Sequence, residues 1–179
     1  WGHDIGGHTV HDRNQPTDPE IYLRWLQYGV FTPIFKTHCT RNKNIERRIW
    51  QFPNHMFQMR AAIRLRYDLA PYIYNAARQT YDTGVSMCRP MYYSQPEHDL
   101  AYSLKDQFMF GDDMLVASIL TPADKVTGLA SRKVWLPKGE KWYNMVSGKM
   151  YEGSDELVDM HCTQAENPYF VKAGAIIPM

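Results

Sequence analysis

Near residues 83–86 the period of the apolar residues changes, and this switch constrains the fold more than any other feature of the chain. Before it the recurrence is helical. In "TDPEIYLRWLQYGVF" Asp18 is placed to cap a helix and Pro19 to occupy its first position, and Leu23, Leu26 and Val30 then form a stripe that ends near Phe31. "PIFKTH" follows as a short extended piece. A longer helical stretch covers residues 53–82, with one face marked by Met56, Met59, Ile63, Tyr67, Ala70 and Ala77. Pro71 removes a helical hydrogen bond, so two helices or one kinked helix are predicted, broken near Leu69–Pro71 and stopped by Gly84.

After Ser86 the pattern is that of strands. "QFMFG", "MLVASIL", "SRKVWLP", "KWYNM", "ELVDMHC" and "YFVKAGAIIPM" are short apolar or alternating runs, separated by the turn segments "GDD", "PKGEK", "VSGK" and "EGSD". Short strands at this spacing predict an antiparallel sandwich. The expected organisation is a strand–helix–strand–helix unit over residues 1–85 and a β module over residues 86–179.

Composition narrows the function classes. A formal net charge of +1 creates no field that would gather nucleic acid or an anionic membrane, and neither is expected as a partner. No apolar run approaches the roughly 20 residues that span a bilayer. Cys39, Cys88 and Cys162 form no CxxC pair, which argues against a zinc knuckle or redox motif, and three free, mostly buried thiols are expected. The 12 Tyr and 5 Trp suit either an ordinary core or a cleft in which rings lie against sugar faces.

The opening segment "WGHDIGGHTVHD" admits three readings. His3, Asp4, His8, His11 and Asp12 are all metal-ligating types, but their spacing matches no established ligand signature, and no metal is expected. "DIGGH" lacks the spacing of a phosphate loop, and the next helix starts about ten residues later. The third reading is a βα step of a parallel barrel, in which strand ends and the loops after them build the pocket. The glycines would then let backbone approach a ligand closely. Asp4 would sit at the rim as an acceptor suited to sugar hydroxyls, with His38 at the matching position of the next strand. An Asp before glycines is also a common turn former, and a His after a strand is commonly a satisfied core residue.

Taken together, six blocks in order resemble glycoside hydrolase family 31, which contains α-glucosidases and α-xylosidases. They are "WGHDIGG", "YLRWLQYGVFTPIFKTH", "RLRYDLAPYIYNAA", "RPMYY" with "DQFMFGDDMLVASIL", "VWLPKGEKWYNMVSGKMYEG" and "YFVKAGAIIPM". The resemblance implies the C-terminal part of a (β/α)8 barrel, comprising its last two strands and closing helices, followed by an incomplete β-sandwich. It implies that Asp4 and His38 hydrogen-bond the sugar in the −1 subsite and that Trp1 lines the pocket. His8 stands where the family usually has Phe, Lys36 where Arg is common, and "RRIW" where R-E-P-W is frequent.

Enzymes of this family retain anomeric configuration with two Asp, a nucleophile and an acid/base, and the resemblance places both upstream of Trp1. The implied activity is hydrolysis of α-glucosides or α-xylosides without a cofactor, with an oligosaccharide substrate and the remainder of the catalytic domain as partners. The alternatives are another family 31 activity (α-galactosidase, lyase or transglycosylase) and a non-catalytic carbohydrate-binding module.

Overall fold

The structure, a computed structural model, describes residues 2–9, 14–41, 44–45 and 47–179. It opens with strand β1 (Gly2–Ile5), helix α1 (Pro19–Gly29) and strand β2 (Ile34–Thr37). The Asp18 carboxylate accepts a 2.8 Å hydrogen bond from the Ile21 amide, and Pro19 supplies the first turn, as the capping pattern requires. β1 and β2 are parallel, with Asp4 opposite Lys36, so the chain must cross over between them, and α1 is that crossover. The βαβ step expected from the sequence is present.

Helices α2 (Met56–Asp68) and α3 (Ala70–Thr83) follow, broken at Leu69 as Pro71 predicts. Gly84, at a φ of +74°, takes the left-handed position that ends α3. The buried face differs from the expected one. Met59, Ala62 and Leu69 are buried, with Tyr72 and Ala76 on α3, whereas Tyr67 is 76% exposed and Ala70 and Ala77 face solvent. The reason is Arg66. Its guanidinium donates to the carbonyls of Val30 and Pro33, at 2.7 and 2.9 Å, and to that of Thr32, holding the turn between α1 and β2. A half-buried arginine thus occupies the inward line 59, 62, 66, 69, and an apolar stripe read without it slides onto Tyr67.

The second half contains β3 (Cys88–Pro90), a short helix α4 (Leu100–Ser103), β4 (Phe108–Phe110), β5 (Met114–Val116), β6 (Ala130–Trp135), β7 (Lys141–Asn144), β8 (Met150–Glu152), β9 (Leu157–Cys162) and β10 (Tyr169–Lys172). One sheet runs β3-β4-β5-β10-β7-β8, and β6 pairs with β9 in a second. Every pairing is antiparallel. Two expected strands are shorter than their apolar runs. β5 stops at Val116. β10 gives way to a turn at Gly174, at a φ of +84°, leaving residues 173–179 outside the ladder.

The central strands β4, β5 and β10 of the larger sheet are covered on both faces, and their side chains alternate between two cores. Met109, Leu115 and Phe170 point toward β6 and β9, where they meet Val134 and Trp135 together with Trp142. Phe110, Met114, Val116, Tyr169 and Val171 point the other way, into a cluster with Tyr22, Leu26, Phe31, Met59 and Tyr72 of the helical half. Along Phe108–Phe110, Met114–Val116 and Tyr169–Val171 this is period-two patterning with an apolar residue at every position, as strands covered on both sides demand. A single core therefore crosses residues 83–86. All three cysteines are free, but only Cys162 is buried, while Cys39 and Cys88 are half-buried. No helix among the described residues is long and apolar enough to cross a membrane.

Candidate functional site

Side chains opposite one another on adjacent parallel strands share a face, so the β1–β2 register puts Asp4 beside Lys36. The Lys36 ammonium lies 2.9 Å from Asp4 Oδ1. His38 follows two residues after Lys36 and comes to the same carboxylate. Its Nδ1 is 3.4 Å from Asp4 Oδ2.

The Gly-Gly turn brings the third group. Gly6 and Gly7 adopt φ of +86° and +83°, and the Gly7 amide donates to the Asp4 carbonyl at 2.8 Å, folding the chain back after β1. A Cβ on Gly6 would lie 2.5 Å from Arg47 Cδ and 2.8 Å from the Tyr22 ring. The close approach Gly6 permits is therefore to Arg47 and Tyr22, not to the open side of the site. Arg47 donates from Nε and Nη2 to the Gly7 carbonyl at 3.1 and 3.0 Å, and the Thr40 amide donates to the His8 carbonyl at 2.9 Å, tying the two rim loops together. In the resulting position His8 Nδ1 is 3.0 Å from Asp4 Oδ2 and 3.2 Å from His38 Nδ1.

The arrangement is thus one carboxylate with both oxygens engaged, an ammonium on Oδ1 and two imidazoles on Oδ2. The hydrogen bond from Lys36 holds the Asp4 carboxyl below the usual carboxylate range; desolvation opposes this, and His38 adds to it. Both imidazoles are exposed, so the cluster presents ring edges outward from a fixed anionic anchor. Such a set can accept and donate hydrogen bonds to a polyhydroxylated ligand.

His3 does not join it. It points to the opposite face of β1, where the Trp25 indole donates to its Nδ1 at 2.8 Å and its ring packs 4.9 Å from Tyr28. Burial pushes its imidazole below the usual histidine range. Of the residues singled out in the sequence, Asp4, His8 and His38 come together, His3 is separated, and Trp1, His11 and Asp12 lie outside the described residues. Lys36 was visible in the sequence only as a departure from a familiar block, and Arg47 only as the first residue of "RRIW". Their partners follow from strand register and from the glycine turn. Asp112, in the "GDD" turn after β4, is an exposed residue whose carboxylate pairs with Arg89 at 2.6 Å.

Comparison with known proteins places both halves of the chain. Residues 1–76 match the model of the glycosyl hydrolases family 31 TIM-barrel domain, and residues 84–177 that of the family 31 C-terminal domain. The α-xylosidase of Saccharolobus solfataricus is 32% identical over 180 residues, which is 100% of this chain but 23% of that protein. A crystal structure of a family 31 α-xylosidase from a soil metagenome, complexed with xylose, superposes with a TM-score of 0.84 at 30% identity, over 99% of this chain and 28% of that one. The cycloalternan-forming enzyme of Listeria monocytogenes, in complex with a pentasaccharide substrate, gives 0.84 at 33% identity, over 100% of this chain and 17% of that one. The chain accordingly spans under a third of the length of each of these proteins. Both of its halves match consecutive domains of one family: the chain belongs to glycoside hydrolase family 31.

Proposed function

We propose that this chain is part of a retaining α-glycosidase that hydrolyses O-glycosidic bonds of α-glucosides or α-xylosides, and that it supplies sugar-binding groups of the −1 subsite. Residues 1–85 form the end of a (β/α)8 catalytic barrel, its last two strands and closing helices, and residues 86–179 the sandwich domain that follows. The observation that carries the reading is the convergence of Asp4 and His38 from adjacent parallel strands, at the strand ends where barrels build their active sites.

In this reading His38 and His8 contact sugar hydroxyls, and Trp1 contributes to the pocket wall. Asp4 anchors both rings and lends its charge to the subsite. Retention needs a nucleophilic carboxylate and an acid/base carboxyl about 5–5.5 Å apart across the scissile bond. Asp4 is already shared among Lys36, His8 and His38, which suits an anchor and not a nucleophile. The catalytic pair belongs to the larger part of the relatives that lies outside the matched stretch. The substrate bond is cleaved there, while the groups here fix the ring whose anomeric carbon is attacked. A transglycosylase is the second reading, favoured by the likeness to a cycloalternan-forming enzyme.

The test uses the full-length protein that carries this chain, assayed on aryl α-glucoside, α-xyloside and α-galactoside. Turnover of one sugar is expected, with kcat/KM lowered by about a hundredfold or more in Asp4→Ala and in His38→Ala, the scale of hydrogen bonds lost at a transition state. Wild-type kinetics in both variants would remove these residues from the site. Transfer to a sugar acceptor in place of water would favour the second reading.

A further inference from the structure

Three heteroatoms with lone pairs meet at the site: Asp4 Oδ2, His8 Nδ1 and His38 Nδ1, separated by 3.0, 3.2 and 3.4 Å. Hydrogen bonding does not account for all three contacts at once. One Nδ1–H cannot point at both the carboxylate and the other ring. If both rings carry a proton at Nδ1, both can donate to Oδ2 but no hydrogen bond joins the rings across 3.2 Å; if only one does, it serves one of its two neighbours. At least one contact is left without a proton in it.

A divalent cation resolves all three contacts at once. Four-coordinate zinc with bonds of ~2.0–2.1 Å to imidazole nitrogen and carboxylate oxygen sets its ligand atoms about 3.3 Å apart, from the tetrahedral angle. The observed separations bracket that value, and the ligand set of two imidazoles and one carboxylate suits a borderline transition ion over calcium or magnesium. Lys36 supports the arrangement in one respect, because it holds Oδ1 and so turns Oδ2 toward the two rings. The other departure from the family, His8 in place of Phe, supplies the third ligand.

We infer that Asp4, His8 and His38 form a three-ligand site for a divalent transition-metal ion such as zinc. On the proposed −1 subsite, an ion here engages the same three side chains that hold and orient the sugar, so ion and substrate exclude each other. Zinc is then a competitive inhibitor of the enzyme, bound at the rim of its own pocket.

The full-length protein, stripped with a chelator, is titrated with zinc chloride by calorimetry in parallel with kinetics on the aryl α-glycoside it turns over. One zinc per chain is expected, with KM rising with zinc and kcat unchanged. In His8→Phe the zinc affinity should fall by tenfold or more, and in Cys39→Ser, which removes the nearest thiol in sequence, it should stay as in the wild type. Absence of zinc binding, equal binding in His8→Phe, or loss of binding in Cys39→Ser would each overturn the site. Binding with a fall in kcat and no change in KM would overturn the competition. A stripped protein with no glycosidase activity would count against the proposed function alone, since the calorimetric titration still judges the ligands.

Discussion

The two faces of the large sheet differ in how they are covered. Toward β6 and β9 the contact is a dry layer of Trp135, Trp142, Phe170, Leu115 and Met109, built within the second half of the chain. A buried polar bridge within it is Gln107, which exchanges hydrogen bonds with the Trp135 backbone at 2.6 and 3.0 Å. Toward the helices the contact is mixed. Phe110, Val116 and Val171 pack against Phe31 and Tyr72, but a polar seam surrounds them. Arg24 donates to the carbonyls of Thr163 and Glu166 at 3.0 and 2.9 Å, Gln27 donates to that of Gln164 at 2.8 Å, and the Tyr72 hydroxyl donates to that of Phe110 at 2.8 Å. The first face resembles the interior of one domain. The second resembles an interface between domains, yet its apolar centre is continuous with the core around α1. Burial drives both faces, but only the second requires particular partners.

Substitutions in the full-length protein can break this comparison. The largest expected effect is on the dry face: Phe170→Ala should lower stability by ~3–5 kcal/mol, the cost of an aromatic-sized cavity. Gly111→Ala comes next and strikes the mixed face. Gly111 sits at a φ of +65°, and a Cβ there would lie 2.2 Å from the Tyr72 hydroxyl. Left-handed strain of ~1–2 kcal/mol adds to overpacking. Urea denaturation followed by tryptophan fluorescence measures both. If the faces form one cooperative unit, each variant shifts the whole transition of this region. A separate early phase in Gly111→Ala would show that the helical half parts from the sheet first.

Tyr72→Phe sharpens the comparison at smaller scale. It removes the hydrogen bond to Phe110 and leaves the ring, so about 1 kcal/mol is expected. Tyr72 also titrates far from neutrality, because burial raises its hydroxyl to about 12, so the effect should be flat across neutral pH. The smallest effect is the pH response of His3. Its folded-state pKa lies below the ordinary histidine value of 6.5, so below that pH the unfolded chain binds the proton more readily. Its contribution to stability is full above 6.5 and is lost as pH falls toward the folded value. Trp25→Phe, which removes the indole donor, leaves His3 a free Nδ1 and should shift that response. An unchanged pH profile in both His3→Gln and Trp25→Phe would show that another group sets it.

Much of the fold was legible because local chemistry decides it. Asp18 and Pro19 start α1, Pro71 breaks the long helix, Gly84 ends it, and the alternating runs after Ser86 become strands. What escaped is what distant parts of the chain decide. Arg66 belongs to the inward line of α2 because three carbonyls of the α1–β2 turn need a donor, and nothing in the helix itself signals that. The run through "AGAIIPM" looked like continued strand, but its ladder partners end at Lys172 and Ala173. At the site, Asp4 and His38 could be paired from the βα pattern alone. That Lys36 and His8 close on the same carboxylate depends on strand register and on a glycine turn pinned by Arg47, and no spacing rule encodes either.

The seam around α1 limits how this protein could be recombined. A chimera joined at residues 83–86 would look natural by composition, since the pattern changes there. It would nevertheless separate Arg24 and Gln27 from the carbonyls of residues 163–166, and Tyr72 from Phe110. Exchanging the β module between relatives therefore amounts to transplanting half of a shared core. The grafts that survive should be those that carry the α1 and α3 contact residues along with the sheet they face.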